Sequence, residues 1–466
     1  MDRLEESDKE EVLIDNMIKH RIDLITLGCS KNLVDSERLM AQLAAVGYKL
    51  HHDPEDPKGE IVIVNTCGFI GDAKEESINT ILGLTVLKKH RKIGKIFVMG
   101  CLSERYRKEL MDEIPEIDRI YGKFDWKGIL SDLGHSWDDN LRAYHFQTTP
   151  SHYAYVKIGE GCNRHCAYCA IPLITGIYKS RPMDEIVDEV KQLVSQGVRE
   201  FQLIAQDLTG YGYDLYGKYN IAELVQRLAD IPGVDWLRLH YAYPNNFPKD
   251  LLPVMARNSN VCKYLDLALQ HASNHVLDRM LRHISCEETE ELLSEIRRQV
   301  PGIHIRTTMM VGFPGETEQD FEELKEFVRR QRFERMGAFA FSEEEGTYAA
   351  RHYKDNVPPE VKQQRLDELM ELQQEISLQC QEEKVGKVFR VIIDRLDGEY
   401  YVARTEFDSP EVDPEVLIPV DSLPTESSGY DDGVQVPIAL TPGTFQQVRI
   451  TSASPYELMA ELVNSK

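Results

Sequence analysis

The chain has 466 residues, 42% of them hydrophobic, and a formal net charge of −24. That length allows about three domains with cores of their own. The acidic balance argues against a long nucleic-acid footprint, which needs Lys and Arg to displace counterions, and favours a basic partner such as a protein. Simple solubility is the plainer reading of the same charge, and a whole-chain sum leaves room for a local basic patch. The start, Met1-Asp2-Arg3-Leu4-Glu5-Glu6, lacks an apolar h-region, and no run of about 18 apolar residues occurs. Neither a secretory signal nor a membrane span is therefore expected. Nine cysteines are an odd number for a disulfide framework. Their grouping in one loop and at strand ends points to ligands in a reducing cytoplasm.

Residues 1–20 are mostly charged and polar and are expected to form a flexible extension. Asp23-Leu24-Ile25-Thr26-Leu27 reads as a buried strand leading into Gly28-Cys29. Helical spacing from Asp35 to Val46 stops at Gly47. A second strand, Ile61–Val64, runs into Asn65-Thr66-Cys67, and a helical pattern follows over 73–89. A third strand, Lys95–Met99, runs into Gly100-Cys101. This alternation predicts a doubly wound parallel sheet over 21–142. Each strand ends at a cysteine, and the spacings, 67 − 29 = 38 and 101 − 67 = 34, each fit one strand–helix–strand unit. Ligands of such sheets collect at the carboxyl ends of strands, so Cys29, Cys67 and Cys101 should converge on one metal-cluster site. Three buried structural thiols are the alternative. Asn32 and Asn65 lie close by and are read as turn caps.

A link around Trp137 to Pro150 precedes the strand Ala154–Ile158. That strand feeds Gly161-Cys162-Asn163-Arg164-His165-Cys166-Ala167-Tyr168-Cys169. A loop with C-x3-C-x2-C spacing can turn three sulfurs to one face of a cuboidal iron–sulfur cluster and leave one iron open. Zinc is the other metal for soft thiolates, although structural zinc sites usually show paired C-x2-C or His partners. Strands at 201–205, 236–241, 264–269, 303–311 and 337–341 then alternate with helices. Together with the first strand they make about six strand–helix units, which fits a partial barrel with its chemistry at the strand C-termini. Gln206-Asp207, His240-Tyr241, Gln270-His271 and Gly312-Phe313-Pro314-Gly315-Glu316-Thr317 sit at those ends, with Arg306 inside a strand. Each alone reads as structural. Together on one rim they make Gln206, Arg306, Gly312 and Glu316 candidate cofactor contacts. The glycines allow close backbone approach, and no Gly-Lys-Ser/Thr follows to make a phosphate loop. A long charged helix runs from Pro358 to about Glu383. Period-two patterning and the hairpin signal Leu396-Asp397-Gly398 then predict a small antiparallel barrel. That architecture often holds oligonucleotides. From Lys387 to Lys466, however, 14 Asp+Glu stand against 6 Lys+Arg, a balance of −8. Such a surface should repel phosphate and attract a basic protein. Cys262, Cys286 and Cys380 have no partners at ligand spacing and are read as structural.

The C-x3-C-x2-C spacing, with Tyr168 before its last cysteine, resembles the radical S-adenosylmethionine (SAM) superfamily, in which the open iron binds SAM. The three cysteine groups and the terminal barrel together resemble the methylthiotransferases over nearly the whole chain. The resemblance implies an N-terminal cluster domain at 21–142, a radical-SAM partial (β/α) barrel at 148–383 and an OB-like TRAM barrel at 385–456. Gly28-Cys29-Ser30-Lys31-Asn32-Leu33-Val34-Asp35-Ser36-Glu37 looks like the branch that acts on ribosomal protein S-12. The tRNA-acting branch usually has Gln and Met or Ile around Ser30 and Lys31. Ala403-Arg404-Thr405-Glu406-Phe407-Asp408-Ser409-Pro410-Glu411-Val412-Asp413 is similar to the same branch. By resemblance, Cys162, Cys166 and Cys169 hold one 4Fe–4S cluster and Cys29, Cys67 and Cys101 a second. SAM then serves as radical source and methyl donor, and an aspartate β-carbon of the basic protein S-12 receives the methylthio group. An external electron donor and a sulfide source are implied, and dedicated nucleic-acid binding is not. One departure stands out: Thr175 lies where the family often has Arg. The competing readings are the same chemistry on a tRNA adenosine, or a non-catalytic iron–sulfur or zinc protein.

Overall fold

The computed structural model describes residues 18–141, 143–427, 435–437 and 439–463, so most of the extension expected over 1–20 lies outside the described residues. The chain divides into two compact units. The first takes residues up to Thr148, Gly159–Gln192 and Glu344–Arg351; the second takes Thr149–Ile158, Leu193–Glu343 and His352 onward.

In the first unit, β1 (Ile18–Thr26), β2 (Lys49–His52), β3 (Gly59–Thr66), β4 (Lys95–Gly100) and β5 (Arg119–Ile120) form one parallel sheet in the order β2-β1-β3-β4-β5. Successive side chains point to opposite faces of a strand, and both faces here are covered. Ile22, Leu24, Ile61, Ile63, Phe97 and Met99 pack against Leu39, Met40 and Leu43 of the helix Ser30–Ala45. Val62, Val64, Ile96 and Val98 pack on the other side against Ile81 and Leu84 of the helix Gly71–Lys89. This two-sided burial is why the strands read as continuous apolar runs. The structure differs from the expectation at the edges. β1 begins at Ile18, well before the apolar run: the Ile18 amide donates to the Lys58 carbonyl at 2.8 Å and Asp23 accepts the Lys58 and Gly59 amides at 2.7 and 2.9 Å, with a register shift against β3 between Ile18 and Ile22. The edge strands β2 and β5 carry no apolar run and left no signal. The link around Trp137–Pro150 is not loose. Thr148 donates its N–H and hydroxyl to Glu37, and His145 is buried between Glu37 and Glu189.

The chain leaves this unit through β6 (Tyr153–Lys157) and returns for a short antiparallel pair, β7 (Gly159–Glu160) and β8 (Lys179–Ser180). The second unit holds β6, β9 (Glu200–Ile204), β10 (Trp236–Ala242), β11 (Val261–Leu267), β12 (His304–Val311) and β13 (Arg335–Ala340). They form a six-stranded parallel sheet in the order β13-β12-β11-β10-β9-β6, as the strand–helix repeat predicted. Its helices Cys286–Gln299 and Glu318–Gln331 begin with capping boxes, Ser285 with Glu288 and Thr317 with Asp320, which satisfy the orphan amides of the first turn. Beyond the helix Pro359–Glu382, β14 (Val388–Asp397), β15 (Tyr400–Thr405) and β16 (Glu415–Pro419) are followed by the two-stranded β17 (Thr425–Ser427) and β18 (Gln435–Pro437), then by β19 (Phe445–Ala453) and β20 (Glu457–Leu462). The closed barrel runs β14-β15-β16-β20-β19. It is antiparallel except at the β16–β20 seam, which is parallel, and β20 was not expected from the sequence.

The acidic segment of this barrel is not the open surface that the charge count implied. Asp408 and Asp413 are buried, with side chains 1% exposed, and pair with Arg335 of β13 at 2.5 Å and Arg306 of β12 at 2.6 Å. Glu411 accepts the hydroxyls of Tyr153 and Tyr155 of β6 at 2.9 and 3.4 Å. The carbonyl of Glu406 accepts from Arg238 at 2.6 Å. Glu200 of β9 lies between Arg238 of β10 and Arg404 of β15, at 3.0 and 2.7 Å. The segment 404–413 thus staples the barrel to the first halves of the sheet strands. A sum of charges along the sequence cannot see that Asp408 and Asp413 are neutralised by guanidinium groups within the chain.

Candidate functional site

The three strand-end thiols meet at the carboxyl edge of the first sheet. Cys29 is the N-cap residue of the helix Ser30–Ala45, Cys67 follows β3, and Cys101 opens the helix Cys101–Arg105 directly after β4. Glycine makes the convergence possible. A Cβ on Gly28 (φ +92°) would stand 2.8 Å from the Cys67 sulfur, and one on Gly100 (φ +106°) would stand 2.5 Å from Asn65 Oδ1 and the Thr66 carbonyl. Only glycine accepts that backbone with that crowding.

Asn32 and Asn65 do more than cap turns. Asn32 donates to the carbonyls of Leu27 and Thr66 at 2.9 and 3.1 Å, tying two strand ends together. Asn65 donates back to the Asn32 carbonyl at 2.8 Å and to Ser36 at 3.0 Å. Cys67 is fixed by Ser77, whose hydroxyl accepts the Cys67 amide at 3.0 Å and donates to its carbonyl at 2.9 Å.

The sequence reading missed Lys123. Its ammonium, 2% exposed, reaches Asn32 Oδ1 at 3.0 Å, Asp35 at 3.2 Å and the Cys101 sulfur at 3.6 Å. Burial opposes its charge, but Asp35, Cys101, Glu160 and Cys29 outweigh that and hold its pKa well above the ordinary lysine value. Nothing in a lone lysine after a two-residue strand marks it as buried. The three thiols sense one another and Lys123. Burial pushes Cys101 up to about 11, with Lys123 pulling against it and Cys29 and Cys67 adding to it. Burial also raises Cys67. Cys29 is exposed; the packed side of its thiol opposes ionisation, but Lys31, Lys123 and the amides of Asn32 and Lys31 bring its pKa below the usual value. Among the described residues, no three His, Cys, Asp or Glu side chains converge on a point that a single ion could share. Thiols beside a buried cation, one of them already inclined to ionise, suit thiolate ligation of a soft metal.

The second triad belongs to the same compact unit. Cys162, Cys166 and Cys169 lie in the loop between β7 and the helix Ile171–Thr175. Cys166 is buried and the other two are half-buried. The loop is closed by Cys162 N–H donating to Gly176 O at 3.2 Å, Tyr178 N–H to Asn163 Oδ1 at 3.0 Å, and Cys169 N–H to Cys166 O at 3.0 Å. Thr175 donates its hydroxyl to Ile171 O at 3.0 Å, so the residue standing where the family often has Arg closes its own helical turn. Cys101 packs in one apolar cluster with Ala170 and Ile174, which brings the triads side by side.

The four other candidate contacts lie in the second unit. Gln206 follows β9 and is half-buried. The charge of Arg306 is taken by Asp413. Glu316 accepts the amides of Gly312 and Phe313 at 2.7 and 3.2 Å and pairs with Arg365 at 2.8 Å. Gly312 (φ +74°) lies against the Lys362 side chain, so its lack of a Cβ also serves internal packing. Among the described residues no helix is long and apolar enough to cross a membrane.

Three known families match in tandem. They are the uncharacterized protein family UPF0004 over residues 21–122, the radical SAM superfamily over 156–328 and the TRAM domain over 385–463. A protein of Parabacteroides distasonis named ribosomal protein uS12 methylthiotransferase RimO is 60% identical over 448 residues, 96% of this chain and 100% of its own. A protein of the same name from Phocaeicola vulgatus is 58% identical over 447 residues, with 96% and 100% covered. Among solved structures, the radical SAM methyltransferase TsrM from Kitasatospora setae, with cobalamin and a 4Fe-4S cluster bound, superposes with a TM-score of 0.50 at 14% identity. That match covers 69% of this chain and 75% of TsrM, and at such low identity it speaks for the fold alone.

Proposed function

Because this chain belongs to the RimO family of ribosomal protein uS12 methylthiotransferases, enzymes of the radical SAM superfamily, we propose that it adds a methylthio group to the β-carbon of one aspartate of uS12 (S-12). The observation that carries the reading is the gathering of two cysteine triads in one compact unit. In this reading Cys162, Cys166 and Cys169 hold a 4Fe–4S cluster that binds SAM, and Cys29, Cys67 and Cys101 hold a second. Clusters and SAM together supply what side chains cannot: a carbon radical strong enough to remove an unactivated hydrogen, and a methyl group for polar transfer. The β-hydrogen beside an ionised carboxylate is barely acidic, so a general base would not suffice.

The protein's part is electrostatic and positional. Lys123 places a buried cation against Cys101, and the depressed pKa of Cys29 favours the ligating thiolate. Gln206, Arg306, Gly312 and Glu316 are the proposed SAM contacts. The ion pairs of Arg306 with Asp413 and of Glu316 with Arg365 also hold their strand and loop in place. The reading requires an external electron donor and a sulfide source in a reducing cytoplasm. A net charge of −24 suits a basic protein substrate.

The test is intact-protein mass spectrometry after anaerobic reconstitution, with SAM, reductant, sulfide and either uS12 or bulk tRNA. A methylthio mass gain confined to one uS12 aspartate is the expected result. A gain only on tRNA nucleosides would move the assignment to the tRNA-acting branch. Absence of SAM cleavage under strong reductant would favour a non-catalytic metal protein.

A further inference from the structure

We infer that Arg105 and Glu344 form the clamp that sets the distance and angle between the two cysteine triads, so that a radical made at one is used at the other. This rests on the two-cluster reading above.

Three segments of the first unit meet at this clamp. The turn after Cys67 lies flat on the helix that Cys101 opens: a Cβ on Gly68 would stand 2.7 Å from the Leu102 Cα and amide nitrogen. Arg105, one turn along that helix, donates through Nη1 to the Gly68 carbonyl at 3.1 Å and to Glu344 at 2.9 Å, and through Nη2 to the Glu345 carbonyl at 2.8 Å. Lys74, in the helix that follows Cys67, donates to the same Glu344 oxygen at 2.9 Å. Both members of the central pair are shut off from water, with Arg105 6% and Glu344 4% exposed.

From Glu344 the chain makes one tight turn. Thr347 donates its hydroxyl to the Glu344 carbonyl at 2.7 Å and accepts the Ala350 amide at 3.3 Å. Ala349 then donates its N–H to the carbonyl of Ala167, between Cys166 and Cys169, at 2.8 Å. The segment is therefore fixed at one end to the Cys67 and Cys101 segments and at the other to the second triad's loop. Direct packing of Cys101 on Ala170 and Ile174 is apolar and permits sliding; the guanidinium, with three acceptor contacts in fixed directions, does not.

Arg105 and Glu344 touch no thiol in any of these contacts. They are positioning residues, and their loss should break the hand-over between sites before it breaks either site. The test uses Arg105→Ala, Glu344→Ala and the conservative Arg105→Lys, with two readouts. In the metal-free protein, hydrogen–deuterium exchange at Ala349 and the 162–176 loop should accelerate in both alanine variants while the β3 and β4 amides keep their protection. In reconstituted enzyme, 5′-deoxyadenosine formed per methylthio group on uS12 should rise about a hundredfold, the scale on which a misplacement of about 1 Å lowers a reaction. Iron content and SAM cleavage should hold, and Arg105→Lys should recover only part of the coupling. An unchanged ratio in the alanine variants overturns the clamp, as does loss of iron and cleavage in step with coupling, which would make the pair a plain fold contact. If wild-type enzyme puts no methylthio group on uS12, the functional reading fails instead, and the exchange result alone decides the clamp.

Discussion

Replacing Asp408 by Asn removes one charge and almost no volume. In the folded chain the Asp408 carboxylate is fully enclosed, paired with Arg335 at 2.5 Å and bonded by the Thr405 hydroxyl. Burial works against its charge, but Arg335 and Lys384 hold its pKa far below the usual carboxylate range. The stabilisation is therefore present above the unfolded pKa of about 4 and is lost as pH falls below it. With Asn at 408, the Arg335 guanidinium, 5% exposed, is left buried without its counter-charge. Breaking one partner out of a buried pair costs about 3–5 kcal/mol, which corresponds to a drop of roughly 6–20 °C in melting temperature for a unit of this size. The assay is denaturant and thermal unfolding at pH 7, alongside the KM for uS12. Destabilisation with KM unchanged is expected. The double change Arg335→Met with Asp408→Leu should recover much of the loss, because two matched apolar groups replace two matched charges. A cost below about 1 kcal/mol, the range of a solvent-exposed pair, together with a raised KM, would refute the staple and return the acidic segment to the role of a docking surface.

Cys166→Ala should abolish SAM cleavage, whereas Cys67→Ala should spare it and stop methylthiolation; 5′-deoxyadenosine and product mass, measured in one reaction, separate the two. Lys123→Met should destabilise the fold by removing the buried cation beside Asp35, and should lower the iron retained by the Cys29, Cys67 and Cys101 set relative to the other, read by iron analysis of each cysteine-triad variant background. Burial alone would lower the His145 pKa, yet Glu189 and Glu37 raise it, with Arg38 and Arg181 as the opposing cations of the same cluster. Its contribution is then complete below the unfolded pKa of about 6.5 and is lost as pH rises through the folded value, so unfolding free energy should decline on the alkaline side in wild type and stay flatter in His145→Gln. Gly100→Ala should destabilise by more than about 1 kcal/mol, since it forces a left-handed backbone and a Cβ against Asn65 and Thr66; an unaffected melting temperature would contradict the geometry.

The sequence by itself determined the periodic and covalently local features. Apolar strands at the spacing of one strand–helix unit could only be a parallel sheet, and cysteines at the ends of three of them could only arrive at one edge, because parallel strands carry their carboxyl termini to the same side. The C-x3-C-x2-C spacing lies within eight residues, so it could be read without knowing the fold. Only the tertiary structure decided which charges are free. Lys123 and Asp35 are 88 residues apart, Arg105 and Glu344 are 239 apart, and Arg404 and Glu200 are 204 apart. No local pattern announces that such a pair will be buried together. Asp408 and Asp413 read as open surface in the chain and are a staple in the fold, because a carboxylate's role depends on whether a guanidinium meets it out of water, and that meeting is a property of the packed sheet and barrel.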